Sequence, residues 1–210
     1  MNKKYLLGVD GGTEGLRAGL FDTSGTPLAY ASTIYPTQFP APSWAEQDPR
    51  DWWNALGKSV RKVIQDSGIS TEQIAAMAVD TTCCSVVALD KNGNPLRPAL
   101  IWMDVRSAEQ AEQMVETGDE ALRINSNGNG PVSAEWMIPK ALWIKQLEPE
   151  LFKQAVTICE YQDYINFHLT GRRTASINNV STRWHCDYSR RRSFYQDSYD
   201  FHWIPLRFDF

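Results

Sequence analysis

The first 35 residues place the strongest constraint on the fold. Residues 5–10, 15–22 and 27–35 are rich in apolar side chains and favour β-strands. The connections between them are short and contain glycine, serine or threonine, which favour tight turns. Connections of this length leave no room for a crossover helix, so consecutive strands pair as antiparallel hairpins. The sequence therefore predicts a chain that begins with three hairpin-linked strands.

An amphipathic helix follows the hairpins. Asp48 is a favourable N-cap residue, and Pro49 suits the first helical position. Apolar residues then recur at helical spacing until Gly68, which is typical of a helix end. Ser70 and Gln73 resemble a capping box. A helix is therefore predicted between Asp48 and Gly68.

Helices and strands alternate along the rest of the chain, which predicts the α/β fold class with a mixed sheet flanked by helices. An apolar run at 74–80 is predicted to be an internal strand. The other predicted elements are a strand at 85–90, a charged helix at 104–116, a loop at 117–132, a Trp-rich helix at 133–146 that bends or starts at Pro139, a strand at 155–160 and a short helix that ends at 169–171.

Composition argues against several classes of function. Hydrophobic residues make up 42% of the 210 residues, enough for one large domain or two small ones. The net charge of −4 provides no electrostatic attraction for nucleic acid, and no apolar run reaches the roughly eighteen residues that span a membrane. The N-terminus lacks the apolar segment and cleavage site of a signal peptide. We therefore expect a cytoplasmic protein that binds neither nucleic acid nor membrane.

The cysteines are Cys83, Cys84, Cys159 and Cys186, and none is spaced as a CxxC metal or redox pair. The neighbouring residues Cys83 and Cys84 cannot easily form a disulfide without strain. The simplest interpretation is that they are two small buried residues. A redox role is the alternative.

The end of the first strand carries chemistry that a simple hairpin does not require. Asp10 ends an apolar strand and can hold Mg²⁺ through water. Gly11 and Gly12 allow backbone N–H groups to approach phosphate oxygens, and the Thr13 hydroxyl adds a further polar group. Arg17 lies on the next strand and faces either phosphate or solvent. The alternative is a hairpin whose aspartate caps its own turn.

The order of the motifs along the chain is more specific than any one of them. No GK[ST] follows the glycines, and they lead into a strand, so the turn is neither a Walker A loop nor a dinucleotide fingerprint. The informative motifs are GVDGGTEGLRAGLFDTSG, WAEQDPRDWW, VDTTCCSVVALDKNGNPLRPALIWMDVR, SAEWMIPKALWIKQLEPELF and YQDYINFHLTG. In this order they resemble the FGGY family of carbohydrate kinases, over nearly all of residues 5–187.

The resemblance implies a ribonuclease-H-like fold of the actin-like ATPase group and the N-terminal lobe of an ATP-dependent sugar kinase. It implies that Asp10 is the acid associated with Mg²⁺ and that Gly12 and Thr13 belong to the turn that faces phosphate. The loop at 80–85 would face the sugar. The forms VDTTCCS and SAEW resemble the ribulokinase-like branch, which implies a ketopentose such as ribulose, or a related polyol, as substrate.

The resemblance also implies which side chains contact the sugar. The candidates are Thr82 and Cys83 in the loop, together with Trp102, Asp104, Glu135 and Arg183. Several have a structural alternative: Trp102 as a core residue, and Asp104 as the N-cap of the next helix. Glu135 could be a first-turn residue favoured by the helix dipole, and Arg183 could pair with a surface acid.

Other parts that the resemblance implies are not found in this sequence. Members of the family are longer, with a second lobe that binds the adenosine of ATP and a general-base aspartate that we expect beyond residue 210. No catalytic residue is therefore assigned here, and the isolated chain is expected to be inactive or weakly active. We expect residues 1–188 to form an incomplete N-terminal domain.

Residues 189–210 form an atypical tail in which aromatic residues and arginines lack helical or strand periodicity. The tail is either an edge helix with a poor pattern or the product of a truncation or frameshift. Exposed aromatic residues invite self-association, so a homodimer is expected.

Two other assignments are possible for this chain. A different enzyme of the same ATPase superfamily would share the DGGT turn, but it does not predict the motifs WAEQDPRDWW and IWMDVR. The other alternative is a lobe derived from such a kinase that binds a sugar or a partner protein without transferring phosphate.

Overall fold

The structure is a computed structural model that describes residues 4–119, 122–123, 132–187 and 192–193. The chain divides into two compact units. The first unit comprises Met1–Thr37 and Asp48–Thr82, and the second comprises Gln38–Gln47 and Cys83–Phe210.

Strands and helices alternate through the described residues, which confirms the predicted α/β class. The strands are Tyr5–Gly11 (β1), Gly15–Asp22 (β2), Pro27–Ile34 (β3), Glu46–Gln47 (β4), Ile74–Thr81 (β5), Val87–Leu89 (β6), Ala99–Leu100 (β7), Thr157–Cys159 (β8), Cys186–Asp187 (β9) and Arg192–Ser193 (β10). The helices are Pro49–Ser67 (α1), Ala108–Glu116 (α2), Met137–Leu147 (α3), Pro149–Gln154 (α4), Tyr161–Thr170 (α5) and Ile177–Arg183 (α6).

The first unit is built on a four-stranded mixed sheet with the strand order β3-β2-β1-β5. The pairs β1–β2 and β2–β3 are antiparallel, as the short turns predict, whereas β1 and β5 are parallel. The register places Asp10 of β1 beside Arg17 of β2 on one side and Asp80 of β5 on the other. Three charged residues are therefore neighbours at one end of this sheet.

Helix α1 packs against β2 and β3. Its first turn is capped by the Asp48 carboxylate, which accepts a hydrogen bond from the backbone N of Arg50 at 2.9 Å. Its end is closed by Gly68 in the left-handed conformation, with a φ of 68°. Both helix signals are confirmed. Trp52 and Val63 on this helix are fully buried and anchor it to the sheet.

Strand β5 occupies an edge of this sheet, so the prediction of an internal strand is wrong for the residues that the structure describes. Ala75, Ala76, Met77 and Ala78 are all exposed. Helix α1 packs mainly against β2 and β3. The apolar run predicted a strand correctly, but it could not show whether a neighbour covers that strand.

The second unit has its own hydrophobic core, to which helix α3 contributes most. Strands β6 and β8 pair antiparallel beside it. The buried apolar residues of α3 are Met137, Ile138, Pro139, Ala141, Leu142 and Ile144. A helix that is apolar on most of its surface belongs inside a domain. Lys140, in the middle of this set, is also buried, and its partners are described below.

The predicted tail falls largely outside the described residues. Arg192–Ser193 pairs antiparallel with Cys186–Asp187, although the tail sequence has no strand periodicity. The boundary at residue 188 stays a prediction. Among the helices described, none is long and apolar enough to cross a membrane.

Two leucines of the first unit provide a test of this core. We expect Leu20→Ala, at a fully buried site in β2, to lower the free energy of unfolding by about 2–5 kcal/mol. The matched change Leu28→Ala, at a site 41% exposed in β3, should cost less than about 1 kcal/mol. Urea unfolding followed by tryptophan fluorescence measures both. Equal losses for the two variants would contradict the assigned packing.

Candidate functional site

The charged residues at the end of β1 and β5 form the first candidate site. The Arg17 guanidinium donates to the Asp10 carboxylate at 2.7 Å, and both side chains are more than half exposed. Asp80 is exposed on the neighbouring strand, where one carboxylate oxygen accepts from the backbone N of Thr81 at 3.0 Å. Exposed ion pairs contribute little to stability, so these groups are available for a ligand.

The glycine turn after β1 is closed by its own hydrogen bonds. The N–H of Gly12 donates to the carbonyl of Gly15 at 3.0 Å, and the Tyr35 hydroxyl donates to the carbonyl of Gly12. A Cβ atom at Gly12 would lie 3.0 Å from a guanidinium nitrogen of Arg17. A side chain at this position would therefore crowd the Arg17 guanidinium and, at 3.2 Å, the carbonyl oxygen of Gly15.

These hydrogen bonds bear on two of the sequence predictions. Because the N–H of Gly12 is used inside the hairpin, it is not a free phosphate donor in this conformation. The Asp10 carboxylate pairs with Arg17 of the next strand, and the roles predicted for Asp10 and Gly12 toward metal and phosphate stay predictions. The roles predicted for Gly11 and Thr13 stay predictions. Thr82, at the end of this unit, is half-buried, and its N–H donates to the carbonyl of Gly11 at 2.9 Å.

The donor set at this site fits a magnesium ion. Mg²⁺ binds to one or two carboxylates and completes its shell with water and substrate phosphates. Asp10 and Asp80 supply two carboxylates on adjacent strands. Across the described residues no group of three or more histidine, cysteine, aspartate or glutamate side chains is placed to hold a metal. The site therefore fits a cation shared with phosphate better than a cation held by protein alone.

The second candidate site lies in the second unit and begins at the two neighbouring cysteines. Cys84 is buried and adopts a left-handed conformation with a φ of 62°, which is unusual for a residue other than glycine. Its backbone N donates to a carboxylate oxygen of Glu160 at 2.9 Å. Its carbonyl accepts from the Lys140 ammonium at 2.9 Å. Cys83 is exposed, so the prediction of two buried cysteines is wrong for that residue.

Lys140 connects two chain segments of this unit. Its ammonium group is fully buried and donates to the carbonyl of Cys84 and, at 2.7 Å, to that of Ile101. Burial, which disfavours the charged form, lowers the pKa of Lys140 to about 8. No role was predicted for Lys140 from the sequence. A lysine within an almost continuous apolar run is the signal that could have drawn attention to it.

Glu160 holds the same loop from its other side. Its side chain is fully buried. Burial, followed by the nearby charge of Asp163, raises the pKa of Glu160 to about 8. Burial also raises the pKa of Asp163 to about 6. The Asp163 carboxylate accepts from the Glu160 backbone N at 3.1 Å, in a capping box at the start of α5. The contact of Glu160 with this loop was not predicted from the sequence.

Asp104 is not placed as a sugar ligand. Its carboxylate is fully buried and accepts from the backbone N of Ala45 at 2.7 Å and from the guanidinium of Arg106 at 2.7 Å. It also accepts from the backbone N of Arg106 and so closes the turn before α2. Ser107, not Asp104, is the N-cap residue of that helix. Both predicted roles of Asp104 are therefore replaced by a structural one.

A buried ion-pair network surrounds Asp104 and was not predicted from the sequence. Arg106 lies 3.6 Å from the ring centre of Trp44 and pairs with Glu46 at 2.8 Å. Arg97 bridges Glu46 and Glu148 at 2.5 and 2.8 Å. Desolvation lowers the pKa of Arg97, while the two glutamates oppose that shift. These charges hold the segment before α1 to the rest of the second unit.

The remaining sugar candidates have accessible side chains. Trp102 is 39% exposed, so the alternative of a plain core residue is wrong. Glu135 is half-buried and lies just before α3, outside its first turn. Arg183 is half-buried at the end of α6, with its guanidinium carbon 5.6 Å from the ring centre of Trp136. The Cys84 side chain and, after it, the Arg183 guanidinium lower the pKa of the Cys83 thiol to about 5.

An exposed acid and arginine beside a glycine turn, carried on a mixed sheet that begins with hairpins, are features of proteins that bind nucleotide phosphates. Residues 5–196 match the model of the FGGY family of carbohydrate kinases, N-terminal domain. The chain belongs to this family.

Two relatives and one solved structure illustrate the similarity. The xylulose kinase of Bacillus subtilis (strain 168) is 31% identical over 169 residues, which cover 80% of this chain and 33% of the relative. The ribulokinase of Geobacillus thermodenitrificans (strain NG80-2) is 29% identical over an alignment of 210 positions. This alignment covers 88% of this chain and 37% of the relative. The crystal structure of xylulose kinase from Rhodospirillum rubrum matches with a TM-score of 0.78 at 29% identity, covering 85% of this chain and 36% of that one.

The chain thus spans about a third of the length of the relatives that it matches. The similarity to solved sugar kinases confirms the predicted ribonuclease-H-like fold of the actin-like ATPase group.

The buried Glu160 carboxyl predicts a specific pH dependence of stability. Because its folded pKa is raised, the folded state keeps a proton that the unfolded chain loses above about pH 4.5. The stabilisation of the folded state by the protonated Glu160 carboxyl is complete below that pH and is lost as the pH rises to about 8. Between pH 6.5 and 8, above the range of Asp163, we expect Glu160 to lower the unfolding free energy by up to about 1.4 kcal/mol per pH unit. The lowered pKa of the Cys83 thiol acts in the opposite direction over this range, so the contribution of Glu160 is the difference between the slopes of the natural chain and a Glu160 variant.

Glu160→Gln should remove this slope, because an amide keeps the shape and does not titrate. Glu150→Gln, at an exposed site on α4, is the matched control and should keep it. Urea unfolding at a series of pH values measures the three slopes. Parallel curves for the natural chain and Glu160→Gln would contradict the raised pKa.

Proposed function

We propose that this chain is the N-terminal domain of an ATP-dependent kinase that phosphorylates a ketopentose. The observation that carries the proposal is the group of Asp10, Arg17 and Asp80 on adjacent strands beside a glycine turn. In a member of a carbohydrate kinase family, exposed carboxylates and a guanidinium in this position suit a nucleotide phosphate and its cation.

Each group at this end of the sheet has a separate task in the proposal. Phosphoryl transfer depends mainly on positioning and on charge stabilisation. Asp10 holds the cation through water, and Asp80 adds a second carboxylate. Arg17 exchanges its exposed ion pair for contacts with phosphate oxygens, at little cost because that pair is solvated. Magnesium, when bound, neutralises part of the phosphate charge.

The sugar is assigned to the second unit. The named relatives are xylulose kinases and a ribulokinase, and both of these sugars are ketopentoses, so we propose that class without choosing between them. The exposed ring of Trp102 can stack on the apolar face of a sugar. Glu135 and Arg183 can bond to its hydroxyl groups, and the charge of Arg183 also acts on the Cys83 thiol. Asp104 is left out because its carboxylate is already satisfied.

The complete protein provides a test of Asp10. We expect Asp10→Asn to lower kcat by a factor on the order of 100 while the KM for the sugar stays nearly constant, because the charge acts on phosphate and not on sugar binding. Asp66→Asn, at an exposed site on α1, is the matched control and should leave both constants unchanged. A rise in sugar KM at constant kcat would contradict this assignment.

The isolated chain is expected to form ADP only at a trace level, because we propose that the general base and the adenosine site lie in residues beyond it. A coupled assay for ketopentose-dependent ADP formation measures this. Turnover by the 210-residue chain at the rate of the complete protein would contradict that part of the proposal.

Two further expectations accompany the function. A cytoplasmic location and a homodimer both stay predictions. The dimer prediction rests on the aromatic residues in the sequence of the tail, because exposed apolar surface favours self-association. Light scattering at micromolar concentration gives the mass, and a monomeric mass would count against the dimer.

A further inference from the structure

The ammonium group of Lys140 joins two separate segments of the second unit. It donates to the carbonyl of Cys84 at 2.9 Å and to the carbonyl of Ile101 at 2.7 Å. The carbonyl of Trp102 lies 3.5 Å from the same nitrogen, at the limit of a hydrogen bond. Two oxygens bound by one nitrogen at these distances are no more than about 6 Å apart. One side chain therefore holds the two segments next to each other.

One of these segments is the turn that carries Trp102. The backbone N of Asp104 donates to the carbonyl of Ile101 at 2.9 Å, which closes a turn over residues 101–104. Trp102 occupies the second position of this turn, and its side chain is 39% exposed. Lys140 thus binds the first carbonyl of the turn from the interior of the unit, while the ring of Trp102 stays accessible to a ligand.

The other segment has a backbone conformation that its sequence does not favour. Cys84 has a φ of 62°, in the left-handed region that residues other than glycine rarely adopt. Such a conformation persists where the surroundings hold it. Here the Glu160 carboxylate accepts from the N–H of Cys84, and Lys140 donates to its carbonyl. The exposed residue Cys83, one position earlier, therefore leaves a backbone that is held on both sides.

Stability alone does not account for a charge at position 140. The side chain of Lys140 is fully buried in a helix whose other buried residues are apolar. Removal of a charge from water is costly, and apolar side chains of similar size that replace buried charges are often neutral or stabilising. The property that an apolar residue could not supply here is the hydrogen bonding that joins the two segments.

We propose that Lys140 is a positioning residue of the ketopentose site, which binds no sugar itself and fixes the segments that carry Cys83 and Trp102. The inference rests on the proposed function, which assigns both of these side chains to the sugar. The residues proposed for phosphate, Asp10, Arg17 and Asp80, belong to the first unit. Loss of the Lys140 ammonium group should therefore weaken the binding of the sugar and leave the binding of ATP unchanged.

The first measurement is the kinetics of the complete protein with Lys140→Ala and with Lys140→Met, which fills the space without a donor. In both variants we expect the KM for the ketopentose to rise by a factor of about 10 or more, while kcat and the KM for ATP change less than about twofold. Lys153→Ala, at an exposed site on α4, is the matched control and should change none of these constants. A natural sugar KM in Lys140→Met, or an equal rise in both KM values, would overturn the proposal.

Chemical rescue separates a role in positioning from a role in filling space. Lys140→Ala removes three methylene groups and the ammonium group, and n-propylammonium contains the same groups. We expect this cation to lower the raised sugar KM of Lys140→Ala by a factor of about 3 or more, because it restores the donors. The neutral alcohol n-propanol has nearly the same volume and should not lower it. Equal restoration by the two compounds would overturn the proposal.

Hydrogen exchange separates a failure of this inference from a failure of the proposed function. In the 210-residue chain with Lys140→Met, we expect amide exchange at 83–86 and 101–104 to be faster by a factor of about 10 or more, and unchanged in β1. Unchanged exchange in both segments would overturn the inference, whichever sugar is phosphorylated. Faster exchange in a protein that turns over no ketopentose would support the joining of the segments by Lys140 and contradict the proposed function alone.

Discussion

The buried ammonium group of Lys140 is the interaction on which the candidate sugar site depends. A charge removed from water is costly unless acceptors surround it, and here they are the carbonyl groups of Cys84 and Ile101. Satisfying one charge therefore fixes two separate segments against helix α3. Cys83 directly precedes Cys84, and Trp102 directly follows Ile101. Both of these neighbouring residues are exposed. The same contact that stabilises the core thus presents the side chains proposed to meet a ligand.

The chain separates structural charges from charges available for chemistry. Asp104 and Arg106 are almost completely buried and pair with one another, so removal of either one would leave an unpaired charge in the core. Asp10 and Arg17 form an ion pair that is more than half exposed and contributes little to stability. Two aspartates that looked equivalent in the sequence as strand-end or loop acids therefore have opposite roles, and burial distinguishes them.

The features that could be predicted from the sequence are those encoded by near neighbours. The cap at Asp48, the end at Gly68 and the hairpin strands each depend on residues a few positions apart. The features that were missed depend on contacts between distant positions. Lys140 meets Cys84 across 56 residues, and Glu160 meets it across 76. An apolar run likewise indicates a strand such as β5, but the identity of its neighbours is a tertiary property that periodicity does not contain.

Titration calorimetry of the 210-residue chain with ribulose, xylulose, glycerol and gluconate tests the central claim most directly, because binding does not require the residues that transfer phosphate. We expect saturable binding of at least one ketopentose, weakened by Arg183→Met and unchanged by Arg172→Met. Binding of glycerol or gluconate in preference to both ketopentoses, or ketopentose binding that is indifferent to Arg183→Met, would contradict the assigned sugar site.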